Sequence, residues 1–197
     1  RRAFPGVPVV LGGIKASLRR IAHYDYWSDQ VRRSVLLDAK ADRRVFGMGE
    51  KPIWEVTERL AKGEPIGSIR DVRGTAVPLR KGEWESLPRS KYVGDGNVVF
   101  LPSCEEVTKD HVAFAEMSRA FQYETNPGNA RPLVQPHGAE PVYMNPPAEP
   151  LETSDMYALY DLPFTRTPHP DHGDGEGAGG GGKRGAIPDH DTVKHSI

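Results

Sequence analysis

The chain has a single cysteine, Cys104, among its 197 residues. That excludes an internal disulfide and any centre that draws several thiolates from these residues. It has no long apolar run, and nothing approaches the roughly 20 residues of a membrane-spanning helix. It has no charge excess either: 26 Lys and Arg stand against 27 Asp and Glu, for a formal net charge of -1. With no basic stripe interleaved with aromatics, this balance argues against nucleic acid or another polyanion as partner. The opening "RRAFPGVPVV" has neither an initiator Met nor a signal-peptide pattern, and a cytoplasmic setting is the default expectation. The chain reads as a piece of a longer polypeptide, since "DTVKHSI" at its close looks like the opening of another element.

What is plentiful is punctuation, with 21 Gly and 18 Pro, so the elements are best located by where they are interrupted. "VPVVL", residues 7–11, is a β-branched apolar run closed by Gly12 and Gly13, the pattern of a buried parallel strand meeting its crossover. Ile14, Leu18 and Ile21 follow at helical spacing. The pattern returns where Val45 and Phe46 end in Gly47, Pro52 sits in the first turn of a helix, and Gly63 stands where its C-terminal cap belongs. Ile53, Val56 and Leu60 give that helix its apolar stripe, and "IRDVRGTAVPL" reads as a further strand. Two successive strand, glycine turn and helix units predict an α/β fold built on a parallel, Rossmann-like sheet.

After Pro78 the composition changes. "KYVGDGNVVFLP" reads as two short strands about a turn from Gly94 to Asn97. Ser103 followed by Glu106 is a capping box, and Val107, Phe114, Met117 and Phe121 trace one helix ending before "NPGNARP". From Asn126 onward proline is dense, with one short helical segment at "SDMYALY". "HGDGEGAGGGGKRGA" has too little apolar content to pack and is expected to be disordered.

Several groups of residues could carry chemistry. Glycines after parallel strands let helix amides approach a ligand, so Gly12, Gly13 and the Gly47-Met48-Gly49 turn are candidate ligand edges. Neither completes G-x-G-x-x-G, and tight packing of helix on strand alone explains them and is the favoured reading. Glu50 could meet a ligand hydroxyl or complement the positive end of its helix. "GAGGGGKR", residues 177–184, imitates a P-loop, but Arg184 occupies the Ser or Thr position and no strand precedes it, which excludes nucleotide hydrolysis. His169, His172, His190 and His195, with Asp171, Asp174, Asp189 and Asp191, hint at zinc or nickel, but without a ligand-set spacing they read as a solvated linker. Cys104 stands at a helix N-terminus, where the dipole lowers a thiol pKa, but no partner histidine is assignable and a surface or half-buried cysteine is the default expectation. His23, Tyr24, Asp25, Tyr26 and Trp27 form a cluster at the end of the first helix, either lining a pocket or making an aromatic seam.

The run from Phe4 to Val56, followed in order by "GEPIGSIRDVRGTAV", "LPSCEEV", "NARPLVQPHG", "NPPAEPL", "YDLPFTRTPHP" and "IPDHDTVKHSI", closely resembles the N-terminal region of the YgiQ family of radical S-adenosylmethionine proteins. The resemblance covers almost the whole chain. It implies that residues 1–80 are the C-terminal part of a cobalamin-binding-like α/β domain, with the "PVVLGG" and "FGMGE" turns at its ligand-facing edge. Residues 81–125 are then a hairpin and helix extension, 126–164 a Pro-rich connector with a short helix, 165–190 a disordered linker rich in Gly, His and Asp, and 191–197 the start of a radical SAM core.

For the full-length protein the resemblance implies an enzyme with a 4Fe-4S cluster and S-adenosylmethionine, served by an electron donor such as a flavodoxin or ferredoxin. Electron transfer from the reduced cluster would cleave S-adenosylmethionine to methionine and a deoxyadenosyl radical that abstracts hydrogen from a substrate. The Cys-x3-Cys-x2-Cys motif that holds the cluster is not in these residues; it would begin just after "KHSI". No catalytic, cofactor-binding or metal-binding residue is therefore assigned within the chain. The Asp-x-His-x-x-Gly signature that would ligate cobalamin is also missing, which argues against cobalamin. The glycine tract around Gly175 to Gly182 looks longer than the family's short loop. The alternative to an enzyme region is a non-catalytic α/β module that holds a small ligand or partner at its glycine turns.

Overall fold

The computed structural model describes residues 3–80, 82–90 and 97–163. It divides into a unit spanning residues 1–151 and a second spanning 152–197. The first unit opens with strand β1 (Val10–Leu11), helix α1 (Gly13–Leu18), the hairpin of β2 (His23–Asp25) and β3 (Gln30–Arg32), and helix α2 (Val35–Asp38). Strand β4 (Arg43–Val45), helix α3 (Glu50–Ala61) and strand β5 (Thr75–Pro78) follow. The unit is completed by β6 (Val99–Phe100), helices α4 (Cys104–Lys109) and α5 (His111–Tyr123), β7 (Leu133–Gln135) and β8 (Val142–Met144). In the second unit the described residues contain one helix, α6 (Thr153–Tyr160), where "SDMYALY" predicts it.

Six strands form one sheet in the order β1-β4-β5-β8-β7-β6. The fold is α/β, as expected, but the sheet is mixed. The parallel pairs are the outer ones, β1 with β4 and β6 with β7, while β5 and β8 run antiparallel to their neighbours. Each parallel pair encloses helices, as a parallel crossover requires. The β4 to β5 connection also carries a helix, yet it returns to the end of the sheet it left: Phe46 N donates to Gly74 O at 2.9 Å. Residues 62–74 undo the crossover, and β5 runs back down beside β4.

Side chains alternate between two layers. On one face Ala76, Leu133, Val142 and Met144 pack with Leu36, Phe46, Leu101, Val107 and Met117. On the other, Val77, Val98 and Val134 meet Trp84 and Leu87, and Val56, Ile69 and Val72 form a smaller cluster around α3. Gln135 ties the larger core together, accepting from Ala22 N at 2.7 Å and donating to Pro102 O at 3.0 Å.

The helix ends obey their sequence signals. Ser103 Oγ accepts from Glu106 N at 3.2 Å while Ser103 N donates to Glu106 Oε2 at 2.7 Å, completing the capping box. The helix expected to run through Phe121 is interrupted, however. Asp110 leaves helical geometry and starts α5 afresh, its Oδ1 accepting from Val112 N at 2.8 Å. Two further expectations are corrected. In α1, Ile14 and Leu18 are 79% and 73% exposed and the small Ala16 is buried instead. The proline-dense residues 126–151 are no connector but supply β7 and β8, with prolines 132, 136 and 141 at the strand margins, where a missing N–H breaks no ladder bond. Val99 and Phe100 pair with β7, while the first arm of the expected hairpin and the Gly94 to Gly96 part of its turn lie outside the described residues.

Gly74 sits at the return of the crossover with φ +70, and an added Cβ would lie 3.0 Å from Pro52 Cγ and 3.1 Å from Ala148 Cβ. Gly63, past the end of α3, has φ +88 but open space. Gly63→Ala should therefore lose about 1 kcal/mol from backbone strain alone, and Gly74→Ala at least about 2 kcal/mol from strain and overlap together. Urea denaturation of both variants tests this, and equal losses would contradict the packing described.

Candidate functional site

Parallel β1 and β4 end side by side, Leu11 running into Gly12 and Val45 into Phe46 and Gly47. Gly13 at φ +83 and Gly47 at φ +68 adopt left-handed backbone that a side chain would strain. Gly12, Gly13 and Gly47 all look onto open space, whereas a Cβ on Gly49 would lie 3.2 Å from Val45 Cγ1. The structure thus divides the two readings of these glycines. Gly49 is there for helix packing; the other three keep the strand ends uncovered. Ser17 Oγ accepts from Gly47 N at 3.1 Å and joins the two turns. Glu50 is the first residue of α3, whose N-cap, Gly49, supplies no side-chain bond, so the carboxylate complements the positive helix end. This edge is where open α/β sheets receive ligands.

A second concavity, of about 440 Å³, lies between the β2–β3 hairpin and helices α4 and α5. Its floor is Val31, Val107 and Phe114, and its polar margin includes Tyr24, Asp29 and His111. Tyr24 Oη donates to Asp29 Oδ1, and Asp29 holds φ +50. The aromatic cluster is thereby split: Tyr24 lines the pocket, whereas Tyr26 and Trp27 stand edge to face at the hairpin tip, 80% and 90% exposed. The cluster lies on and beyond β2, not at the end of α1.

Cys104 is placed differently from the sequence expectation. It is buried in the main core, and desolvation, followed by the neighbouring Glu105 carboxylate, pushes its thiol pKa up. Burial outweighs the dipole of a helix only six residues long. Next to it is a group that sequence reasoning missed. Cys104 N donates to Pro136 O at 2.9 Å, which brings His137 into the interior. His137 is 6% exposed, neither ring nitrogen has a hydrogen-bond partner, and burial pushes its pKa down to about 4. Glu105 and Asp38 oppose that shift, whereas Arg33 and Arg44 add to it.

No group of three or more His, Cys, Asp or Glu among the described residues could hold a metal ion. The His and Asp residues from His169 to His195 lie outside the described residues, as does the glycine tract. A 4Fe-4S cluster does not fit these residues, because the one thiol is buried and has no second thiol to work with. At the glycine edge the described residues Gly12, Gly13, Ser17, Gly47, Met48 and Glu50 include no imidazole for a cobalt ion.

Comparison with known proteins decides the family. Residues 1–196 match the model of the radical SAM N-terminal family. The chain belongs to this family. It is 52% identical over its whole length to a UPF0313 protein of Geobacter sulfurreducens, covering 29% of that protein. It is 46% identical to a UPF0313 protein of Rhodopseudomonas palustris, again covering 29% of it, and 39% identical to the UPF0313 protein YgiQ of Escherichia coli K12, covering 31%. The chain therefore spans under a third of the length of these relatives. No solved structure matches it. Among the described residues no helix is long and apolar enough to cross a membrane.

The buried imidazole gives this radical SAM N-terminal region an acid limb. Below the ordinary value of 6.5 the unfolded chain takes up a proton that folded His137 refuses until about pH 4, so stability falls as pH drops through that window, by a sum of order 3 kcal/mol. Urea denaturation between pH 7 and 4 should show the loss, and His137→Asn should flatten it. An unchanged slope in that variant would refute the assignment.

Proposed function

We propose that this chain is the N-terminal region of a cytoplasmic radical S-adenosylmethionine enzyme whose 4Fe-4S cluster is bound by residues outside positions 1–197. The observation that carries this reading is the match of residues 1–196 to the radical SAM N-terminal family. The chain's own chemistry agrees with a supporting role: its one thiol is buried with a raised pKa, the wrong state for an iron ligand, which must be a thiolate. When bound in the full-length protein, the cluster supplies the electron that cleaves S-adenosylmethionine, and a flavodoxin or ferredoxin is the proposed source of that electron. The described residues provide a scaffold with one open strand edge.

That open edge favours a second reading, in which the region is a non-catalytic α/β module holding a small ligand over Gly12, Gly13 and Gly47. Titration of cobalamin and nucleotides would raise the melting temperature if the edge binds one of them, because a ligand selective for the native state stabilises it.

Anaerobic reconstitution of the full-length protein with iron and sulfide should give a brown species that cleaves S-adenosylmethionine, and Cys104→Ala should leave the iron content unchanged. A full-length protein that takes up no iron would overturn the enzyme reading. Loss of iron in the Cys104 variant, with folding intact, would overturn the placement of the cluster outside this region.

A further inference from the structure

Arg43 and Arg44 are both fully buried, yet they are satisfied differently. Arg43 donates from Nη1 to Thr75 Oγ1 at 3.3 Å and from Nη2 to Ile66 O at 3.1 Å, while its Nε has no partner. Both acceptors are neutral; the carboxylates that act on it, Asp71 and Glu64, do so only through space and are bonded to Arg59. Buried guanidinium groups ordinarily have an anion beside them, because an uncompensated charge in the interior is expensive. Arg43 also lines an open cavity of about 300 Å³. Arg70 and Arg80 stand in the same walls, together with Asp42 and the apolar Ile66, Val77 and Leu79.

We propose that this cavity binds a small oxyanion, either phosphate or the phosphoryl group of a small phosphomonoester. Three arginines line it from three separate stretches of chain: Arg43, fully buried, from β4, Arg70 from the return of the crossover, and Arg80 from just beyond β5. Planar guanidinium forks match a phosphoryl group, and low-dielectric walls strengthen the attraction. The opposing carboxylates are engaged. Asp42 Oδ2 accepts from Val9 N at 2.8 Å. Glu83 Oε2 accepts from Arg70 Nη1 at 3.1 Å and from Arg80 N at 2.7 Å, holding both arginines at the rim. Arg70 Nε is fixed by Gly67 O at 2.9 Å, so the rim is set before any ligand arrives. The site is independent of the iron-sulfur reading, and either can fail without the other.

The test is isothermal titration of the full-length protein with inorganic phosphate and, separately, with glycerol phosphate, at ionic strength held constant with chloride. Saturable binding is expected, weakened about tenfold in Arg80→Ala, the loss of one charge-assisted contact, with Arg80→Lys recovering part of it. Arg80 is an exposed rim residue, so its variants keep the proposal falsifiable even if Arg43→Met fails to fold. Tighter binding of the ester would assign a phosphorylated metabolite, and equal binding would assign phosphate itself. Absence of saturable binding to either probe, or equal affinity in wild type, Arg70→Ala and Arg80→Ala, would overturn the proposal.

Discussion

Arg43 and Arg44 are consecutive on a three-residue strand, so their side chains leave it toward opposite layers, and both layers are fastened to them. Arg44 Nη1 donates to Arg19 O, the C-cap of α1, at 2.9 Å and to Ser34 Oγ, the N-cap of α2, at 3.3 Å. Ser34 Oγ in turn donates to Arg20 O at 2.7 Å. On the far side Arg43 holds Ile66 O and Thr75, whose own hydroxyl donates to Val72 O at 2.6 Å. One strand thus fixes the helices before it and the loop after it. Burial lowers the two guanidinium pKa values to about 10 for Arg43 and about 9 for Arg44, still on the charged side of neutrality. Two permanent charges sit inside the fold, and the carbonyls and hydroxyls gathered around them cannot relax elsewhere without leaving a cation bare.

The same pair explains what the sequence conceals. "ADRRVF" shows only Val45 and Phe46 as strand, because two arginines in a row read as surface, yet all three residues of β4 are buried. The glycine turns, the Ser103 capping box, the proline in the first turn of α3 and the cap at Gly63 are local chemistry and are visible in the chain. β7 and β8 are not. They are three residues each, framed by prolines, and they become strands because β5 and β6 offer them a ladder. That tertiary stabilisation has no local signature. The break between α4 and α5 was legible in principle: Asp110 caps as well as Ser103 does, but an apolar stripe running through it from Val107 to Phe121 outweighs one polar residue when periodicity alone is read.

The chemistry of single residues was less legible than their positions. Cys104 does stand at a helix N-terminus, and that fact alone predicts an acidic thiol. Burial reverses the sign, and burial depends on Pro136, thirty-two positions away in sequence, accepting the bond from Cys104 N. His137 had no motif to announce it. Its enclosure follows from the β7–β8 turn folding against α4, where Gly138, at φ +61, would place a Cβ 3.7 Å from Glu105 Oε1.

The stripe on α1 makes the final distinction. Ile14 and Leu18 are one turn apart and share a face with Ser17, whose hydroxyl is bonded to Gly47 N at the open strand edge. Periodicity identified this face correctly as apolar. It could not say what the face meets: Ile14 and Leu18 are largely exposed, and Ala16 is what α1 buries. β1 beside it is an edge strand of the sheet, paired among the described residues with β4, so apolar face and sheet edge lie together. Pattern and exposure are thus separate properties: periodicity fixes which side of α1 is apolar, and the packing of α1 on its neighbours, through Ala16, decides which side is buried.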